Sequence, residues 1–268
     1  MIHVAARPRA PVLAQFVRSF HYHQGELGPG VERILPTGQA HLMINLEEDE
    51  FRTYTGPNCE KTHRDRGAIL AGPHGEPLTV DTREWRWLIA VEFIVGGVSP
   101  FLPMPASETG DQVVELDDIW GRDGSLLREH LCMPSAPADK FRKLEKALLE
   151  HLDRFPDPAA AAALDHGMSV AETRERVGLL PKTFVRRFRE QVGLSPKRLS
   201  RVRRLQRVLA SIQGPSGIDW CAVAAEHGYT DQAHFIHDFR DLTGMTPTAY
   251  RASSPRRRNH VPLAAPAG

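Results

Sequence analysis

Between Pro181 and Gln191 the chain reads PKTFVRRFREQ, in which Lys182, Thr183, Arg186 and Arg187 interleave with Phe184 and Phe188. Two phenylalanines at i and i+4 stack on one face of a helix, which leaves the cations and the hydroxyl to the other faces. A guanidinium there can donate two hydrogen bonds to guanine O6 and N7, whereas lysine and threonine more often fix a phosphate. Arg186 is the first candidate for reading a base, with Lys182, Thr183 and Arg187 beside it. Further along, Thr230, Gln232, Ala233, His234 and His237 surround Phe235 in the same manner. Glutamine suits adenine N6 and N7, and an alanine methyl suits the methyl of thymine. Each candidate also has a plainer reading as solvated helix surface, and for His234 simple packing competes evenly with a phosphate contact.

These side chains need helices to aim them, and an internal repeat supplies the plan. FVRRFREQVGLSPKRL, residues 184–199, aligns with FIHDFRDLTGMTPTAY, residues 235–250, at a constant offset of 51. Gly193 and Gly244 are predicted C′ residues, where a left-handed conformation ends a helix. Ser195-Pro196 and Thr246-Pro247 then read as an N-cap followed by an N1 proline, opening a further helix. Upstream, Ser169-Val170-Ala171-Glu172 is a capping box for a short helix closed by Gly178. Asp219 caps its counterpart, which carries Trp220, Val223, Ala224 and His227 on one face and is closed by Gly228; Asp231 caps the helix after it. Helix, glycine turn and second helix is the helix-turn-helix plan, and it occurs twice. Between the units, Leu199, Val202, Leu205, Val208, Leu209 and Ile212 form an apolar stripe. Lys197, Arg198, Arg201, Arg203, Arg204 and Arg207 decorate the remaining surface; Arg207 is the candidate phosphate contact among them.

Residues 226–251, EHGYTDQAHFIHDFRDLTGMTPTAYR, resemble the signature of the AraC/XylS regulators almost position for position, and the resemblance extends from about Gly167 to Ala252. It implies a DNA-binding domain over residues 168–253 whose two recognition helices read adjacent major grooves of duplex DNA. ILPTGQAHLMINL, AGPHGEP and VEFIVGGVSPFL are more loosely similar to a barrel-like sensor domain of some members. That likeness implies regulation or dimerisation through an unidentified small-molecule effector or a homodimer, with RNA polymerase as a partner if the protein activates. The first unit departs from the pattern: Arg174 stands where a small residue is usual, as Ala224 is in the second unit, Thr173 replaces a leucine, and Leu180 leaves Pro181 without a polar N-cap. A more loosely packed first unit is therefore expected.

A chain of 268 residues accommodates two domains. The expected class is α+β, with a β-rich, barrel-like regulatory domain over 1–133, a helix and linker over 134–167, the helix-turn-helix domain over 168–253, and a basic disordered tail over 254–268. His41–Leu46, Phe51–Tyr54, Ala68–Ala71 and Trp87–Phe93 read as strands between Gly and Pro turns. Leu116–Leu131 reads as one helix, and Phe141, Leu144, Leu148, Leu149 and Leu152 as the stripe of another. Charge separates along the chain: Met168 to Arg258 carries seventeen Lys and Arg against eight Asp and Glu, hence +9, while the rest carries −8. Such a basic region is the footprint of a polyanion partner. No apolar run is long enough to span a bilayer and the N-terminus lacks a signal-peptide core, so a cytoplasmic protein without a membrane partner is expected. Cys59, Cys132 and Cys221 lack disulfide or zinc-site spacing. The competing reading is a metal-dependent β-barrel enzyme fused to a helical binding module, built on His21, His23, His41, His63 and His74. Without a matching carboxylate motif the expectation is no enzyme, metal or cofactor. A second competitor uses the helical repeats to bind a protein.

Overall fold

The computed structural model describes residues 1–26, 30–56, 59–153, 170–212, 218–250 and 257–263. The alternating segments become strands β1 (Ile2–Ala6), β2 (Val17–Gln24), β3 (Val31–Ile34), β4 (His41–Asn45), β5 (Phe51–Thr55), β6 (Lys61–Asp65), β7 (Ala68–Ala71), β8 (Leu78–Asp81), β9 (Trp87–Phe93) and β10 (Val113–Glu115), with β11 (His260–Pro262) at the far end of the chain. They form two sheets, in the orders β1-β2-β9-β4-β7-β10 and β11-β3-β8-β5-β6. The strand pairs are antiparallel. The N-terminal part is thus a β-rich, barrel-like domain followed by a helical region, the expected α+β class.

Alternation along β4 shows how the first sheet is placed. Leu42 and Ile44 enter the main core with Phe20, Val91 and Phe93, while Met43, on the opposite face, packs in a small cluster with Phe51, Ile69 and Leu88. Helices α1 (Leu116–Trp120), α2 (Arg122–Cys132) and α3 (Pro137–Glu150) cover the main core. The single helix expected over Leu116–Leu131 is two, because Gly121 takes φ 59° and ψ −146°, outside the helical region. Phe141, Leu144 and Leu148 bury the stripe of α3, and Phe141 stacks on Phe20 at 5.8 Å. Leu149 lies outside that stripe, 42% exposed. The Lys140 ammonium donates to the carbonyls of Leu131 and Met133, tying α3 to the end of α2. All three cysteines are free thiols.

The helical region comprises α4 (Val170–Val177), α5 (Pro181–Val192), α6 (Pro196–Ser211), α7 (Trp220–Glu226) and α8 (Gln232–Thr243). Thr246-Pro247 opens only a short 3-10 turn, Pro247–Ala249, rather than the further helix expected there. The tail departs from the expected disorder over 257–263, where β11 joins the edge of the second sheet beside β3. Most of the expected linker after α3, and Ser169 of the capping box, lie outside the described residues.

Candidate nucleic-acid interface

Two helix pairs, α4 with α5 and α7 with α8, are built by the caps and turns that the sequence implied. Gly178, Gly193, Gly228 and Gly244 all have positive φ, 67°, 87°, 71° and 71°, and so end their helices without the penalty a Cβ would carry. The Asp231 carboxylate accepts from the His234 amide, Asp219 from those of Cys221 and Ala222, and Ser195 from that of Arg198. Leu180 makes no cap hydrogen bond and is 76% exposed. The glycine lies six residues before the first phenylalanine in one unit and seven in the other, so the first turn is one residue shorter.

Both units bury their phenylalanines. Phe184 and Phe188 are in contact at 5.7 Å and are nearly inaccessible. In the second unit Phe235 lies 5.8 Å from Trp220, 5.1 Å from Tyr229 and 5.7 Å from Phe239. Along α6, Leu199, Val202, Leu205, Val208 and Leu209 are buried. Val202, Leu205, Val208 and Leu209 join the second core, and Leu199 joins the first. The N-terminal domain completes both: Val95 packs in the first core and Leu35 in the second. Long-range packing of that kind leaves no local periodicity, which is why sequence reasoning missed it.

The faces opposite these cores remain open. Lys182, Arg186 and Arg187 are exposed and Thr183 is half-buried. Arg186 donates to both carboxylate oxygens of Glu190 at 2.9 and 3.1 Å. An exposed i, i+4 pair of this sort is worth only about 0.3–0.5 kcal/mol, so it yields readily to a better acceptor. Lys182, Arg186 and Arg189 border a surface groove that Ser107 of the N-terminal domain also lines. In the second unit Thr230, Gln232, Ala233, His234 and His237 are all exposed. His234 lies edge-on to Tyr229 at 5.3 Å with its Nδ1 3.3 Å from the Thr230 hydroxyl, so it packs locally and still faces solvent. Arg207 is exposed on α6.

Arg201 and Arg204, which sequence alone reads as surface decoration, are structural. Arg201 reaches from α6 to Asp238 and Asp241 on α8, at 2.5 Å each, and the Tyr229 hydroxyl donates to the other oxygen of Asp238 at 3.1 Å. Burial works against the Arg201 charge, but the hydrogen bonds to Asp241 and Asp238 outweigh it and hold the guanidinium above its ordinary pKa. Burial, reinforced by Asp238, pushes the Tyr229 phenol upward. Arg204 lies over the Tyr229 ring at 4.8 Å, a cation–π contact. The repeat places Leu179 and Arg187 where the second unit has Tyr229 and Asp238, so this brace belongs to the second unit alone.

On α4 Thr173 is the inaccessible residue, while Arg174 is partly exposed, with its guanidinium 3.8 Å from Glu175. The bulky charge is turned aside rather than pressed into the crossing. Amides of residues 181–192 should still exchange with deuterium faster than those of 232–242, because the second unit has both polar caps and the Arg201 brace. Equal protection in the free protein would mean that Val95 compensates for what the first unit lacks.

The histidines offered for metal chemistry have other partners. His21 Nε2 lies 2.8 Å from the Ser19 hydroxyl and 3.4 Å from Glu92, and His23 Nε2 lies 2.7 Å from the Gly25 carbonyl. His63 pairs with Asp65 at 3.1 Å, and His74 contacts the Gly72 carbonyl. Burial pushes His41 down to about 4, which keeps it neutral at pH 7. Among the described residues no three His, Cys, Asp or Glu converge as a metal site would require, and no helix is long and apolar enough to cross a membrane.

Residues 173–253 match a family model described as a helix-turn-helix domain, and residues 6–115 match a domain of unknown function (DUF6597). No curated protein matches the chain. Solved structures similar to it include ToxT from Vibrio cholerae with an unsaturated fatty acid bound, at 10% identity and TM-score 0.40, covering 92% of this chain and 94% of that one. Another ToxT structure, from Vibrio cholerae O395, has 11% identity and TM-score 0.38 and covers 85% and 94%.

Proposed function

We propose, for a chain that belongs to the AraC/XylS family of DNA-binding transcription regulators, that α5 and α8 each enter a major groove and read bases there. The observation that carries this is the pairing, in both units, of a buried phenylalanine face with an open face bearing groove-reading side chains: Lys182, Thr183, Arg186 and Arg187 in one, Thr230, Gln232, Ala233, His234 and His237 in the other. α6 holds the two apart. Its 16 residues span about 24 Å at 1.5 Å per residue, and the turns on either side extend the reach towards the ~34 Å between successive major grooves. The N-terminal domain is assigned a regulatory role because Val95 and Leu35 enter the cores of the two units, so a change in that domain is felt by both. An effector, a second copy of the chain or RNA polymerase would act through it.

Arg186 and Arg207 separate base reading from phosphate anchoring. Arg186→Ala should flatten the preference at one position of the bound sequence and cost about 1–3 kcal/mol there, whereas Arg207→Ala should weaken all duplexes alike. Selection of bound sequences from a random duplex pool by each variant distinguishes the two. An unaltered preference profile in Arg186→Ala removes that residue from the reading face.

A further inference from the structure

The last described residues of the chain join three parts of the molecule. β11 pairs with β3 in the register His260 to Ile34, Val261 to Arg33 and Pro262 to Glu32. Backbone bonds flank it, from the Leu35 amide to the Asn259 carbonyl at 2.7 Å and from the Leu263 amide to the Val31 carbonyl at 3.0 Å. Val261, 4% exposed, enters the core of the second helix-turn-helix unit beside Leu35, Val208 and Phe239. The Tyr250 hydroxyl donates to the Arg258 carbonyl at 2.8 Å, and Arg258 donates to the Ala210 carbonyl at the end of α6 at 3.1 Å. Gln206 of α6 donates to the Asn259 side chain and to the Pro36 carbonyl. Beneath the strand, the side chain of Glu32 is inaccessible, with Arg257 Nη2 at 2.7 Å and His260 Nδ1 at 2.9 Å from one of its oxygens.

We propose that residues 257–263 are a displaceable latch, through which the second sheet of the N-terminal domain and the second helix-turn-helix unit sense one another. A three-residue strand on a sheet edge is an added strand, not part of a sheet's interior, and such additions can exchange. The Glu32 contacts make the engaged position specific, because withdrawal of Arg257 and His260 takes the guanidinium and the imidazole away from a buried carboxylate. The first unit docks elsewhere, where Gly193 approaches Pro73 and Ala106 and Arg198 donates to the Gly75 carbonyl. Opening the latch therefore loosens the second unit, which Leu35 and the Arg33 guanidinium, donating to the Thr243 and Gly244 carbonyls, still touch, and leaves the first in place.

The regulatory meaning of the latch rests on the DNA-binding reading, but its existence does not. Hydrogen exchange of the full-length protein is compared with that of Arg257→Gln, which keeps Val261, and of a chain ending at residue 256. In both variants the Leu35 amide and those of α8 should exchange roughly tenfold faster or more, while amides of α5 and β9 keep parent rates. Unchanged exchange at Leu35 and α8 overturns the proposal; so does loss of protection throughout, including α5 and β9, which would make the segment a general requirement for folding. With a random-sequence duplex of about 30 base pairs, long enough for two successive grooves, binding should alter exchange at Leu35 in the parent and not in the shortened chain. A duplex effect that persists without the latch overturns the coupling. Absence of duplex binding in every variant refutes the DNA-binding reading instead, and the exchange comparison without DNA still decides the latch.

Discussion

Arg201→Ala should destabilise the second helix-turn-helix unit by about 3 kcal/mol and, with it, weaken duplex binding, although Arg201 is not placed on the reading face. Removing one partner of a buried ion pair costs roughly 3–5 kcal/mol, because the other charge is left in a poor solvent. Asp238 is that charge: its side chain is 5% exposed, whereas that of Arg201 is 23% exposed, which sets the expectation at the lower end. The Tyr229 hydroxyl would remain to donate to it. Denaturant unfolding followed by a probe in the helical region should show the loss, and Asp238→Asn in the Arg201→Ala background should recover part of it, since no charge is then stranded. A fall within about 0.5 kcal/mol of the parent would place Arg201 among ordinary surface residues.

Phe235→Ala should cost more, about 3–5 kcal/mol, the range for emptying a buried aromatic site. Its ring is inaccessible and meets Trp220, Tyr229 and Phe239, so no single neighbour can collapse into the space. The N-terminal sheets should keep their exchange protection while α7 and α8 lose theirs. If Phe235→Ala unfolds the sheets to the same extent, the second unit and the N-terminal domain form one cooperative body. An unfolding midpoint near the parent's would show that the aromatic cluster is not what holds α7 on α8.

The helical region was legible because its information is local. Phenylalanines four apart and glycines at helix ends each act within a turn or two, and the repeat states them twice; the acidic caps Asp219 and Asp231 are as local but belong to the second unit. The strands around His41, Phe51, Ala68 and Trp87 were legible for the same reason, through alternation and turn residues. What escaped depends on partners far along the chain. Arg201 looks like any basic helix residue until α8 brings Asp238 and Asp241 to it. Arg257 looks like part of a solvated basic tail until β11 carries it to Glu32. Gly121 broke a helix that apolar spacing alone made continuous, since periodicity does not register one backbone conformation. The candidate reading residues were legible as residue types on an exposed face; the bases they meet are set by the DNA as much as by the chain.

Binding of the full-length protein to a random-sequence duplex across a salt series tests DNA recognition by the paired helices most directly. Log affinity should fall linearly with log salt, with a slope near −0.9 for each phosphate neutralised, and Lys182→Ala should reduce that slope by about one unit. A folded protein with no duplex affinity at low salt, or with affinity indifferent to salt and to Lys182, contradicts it.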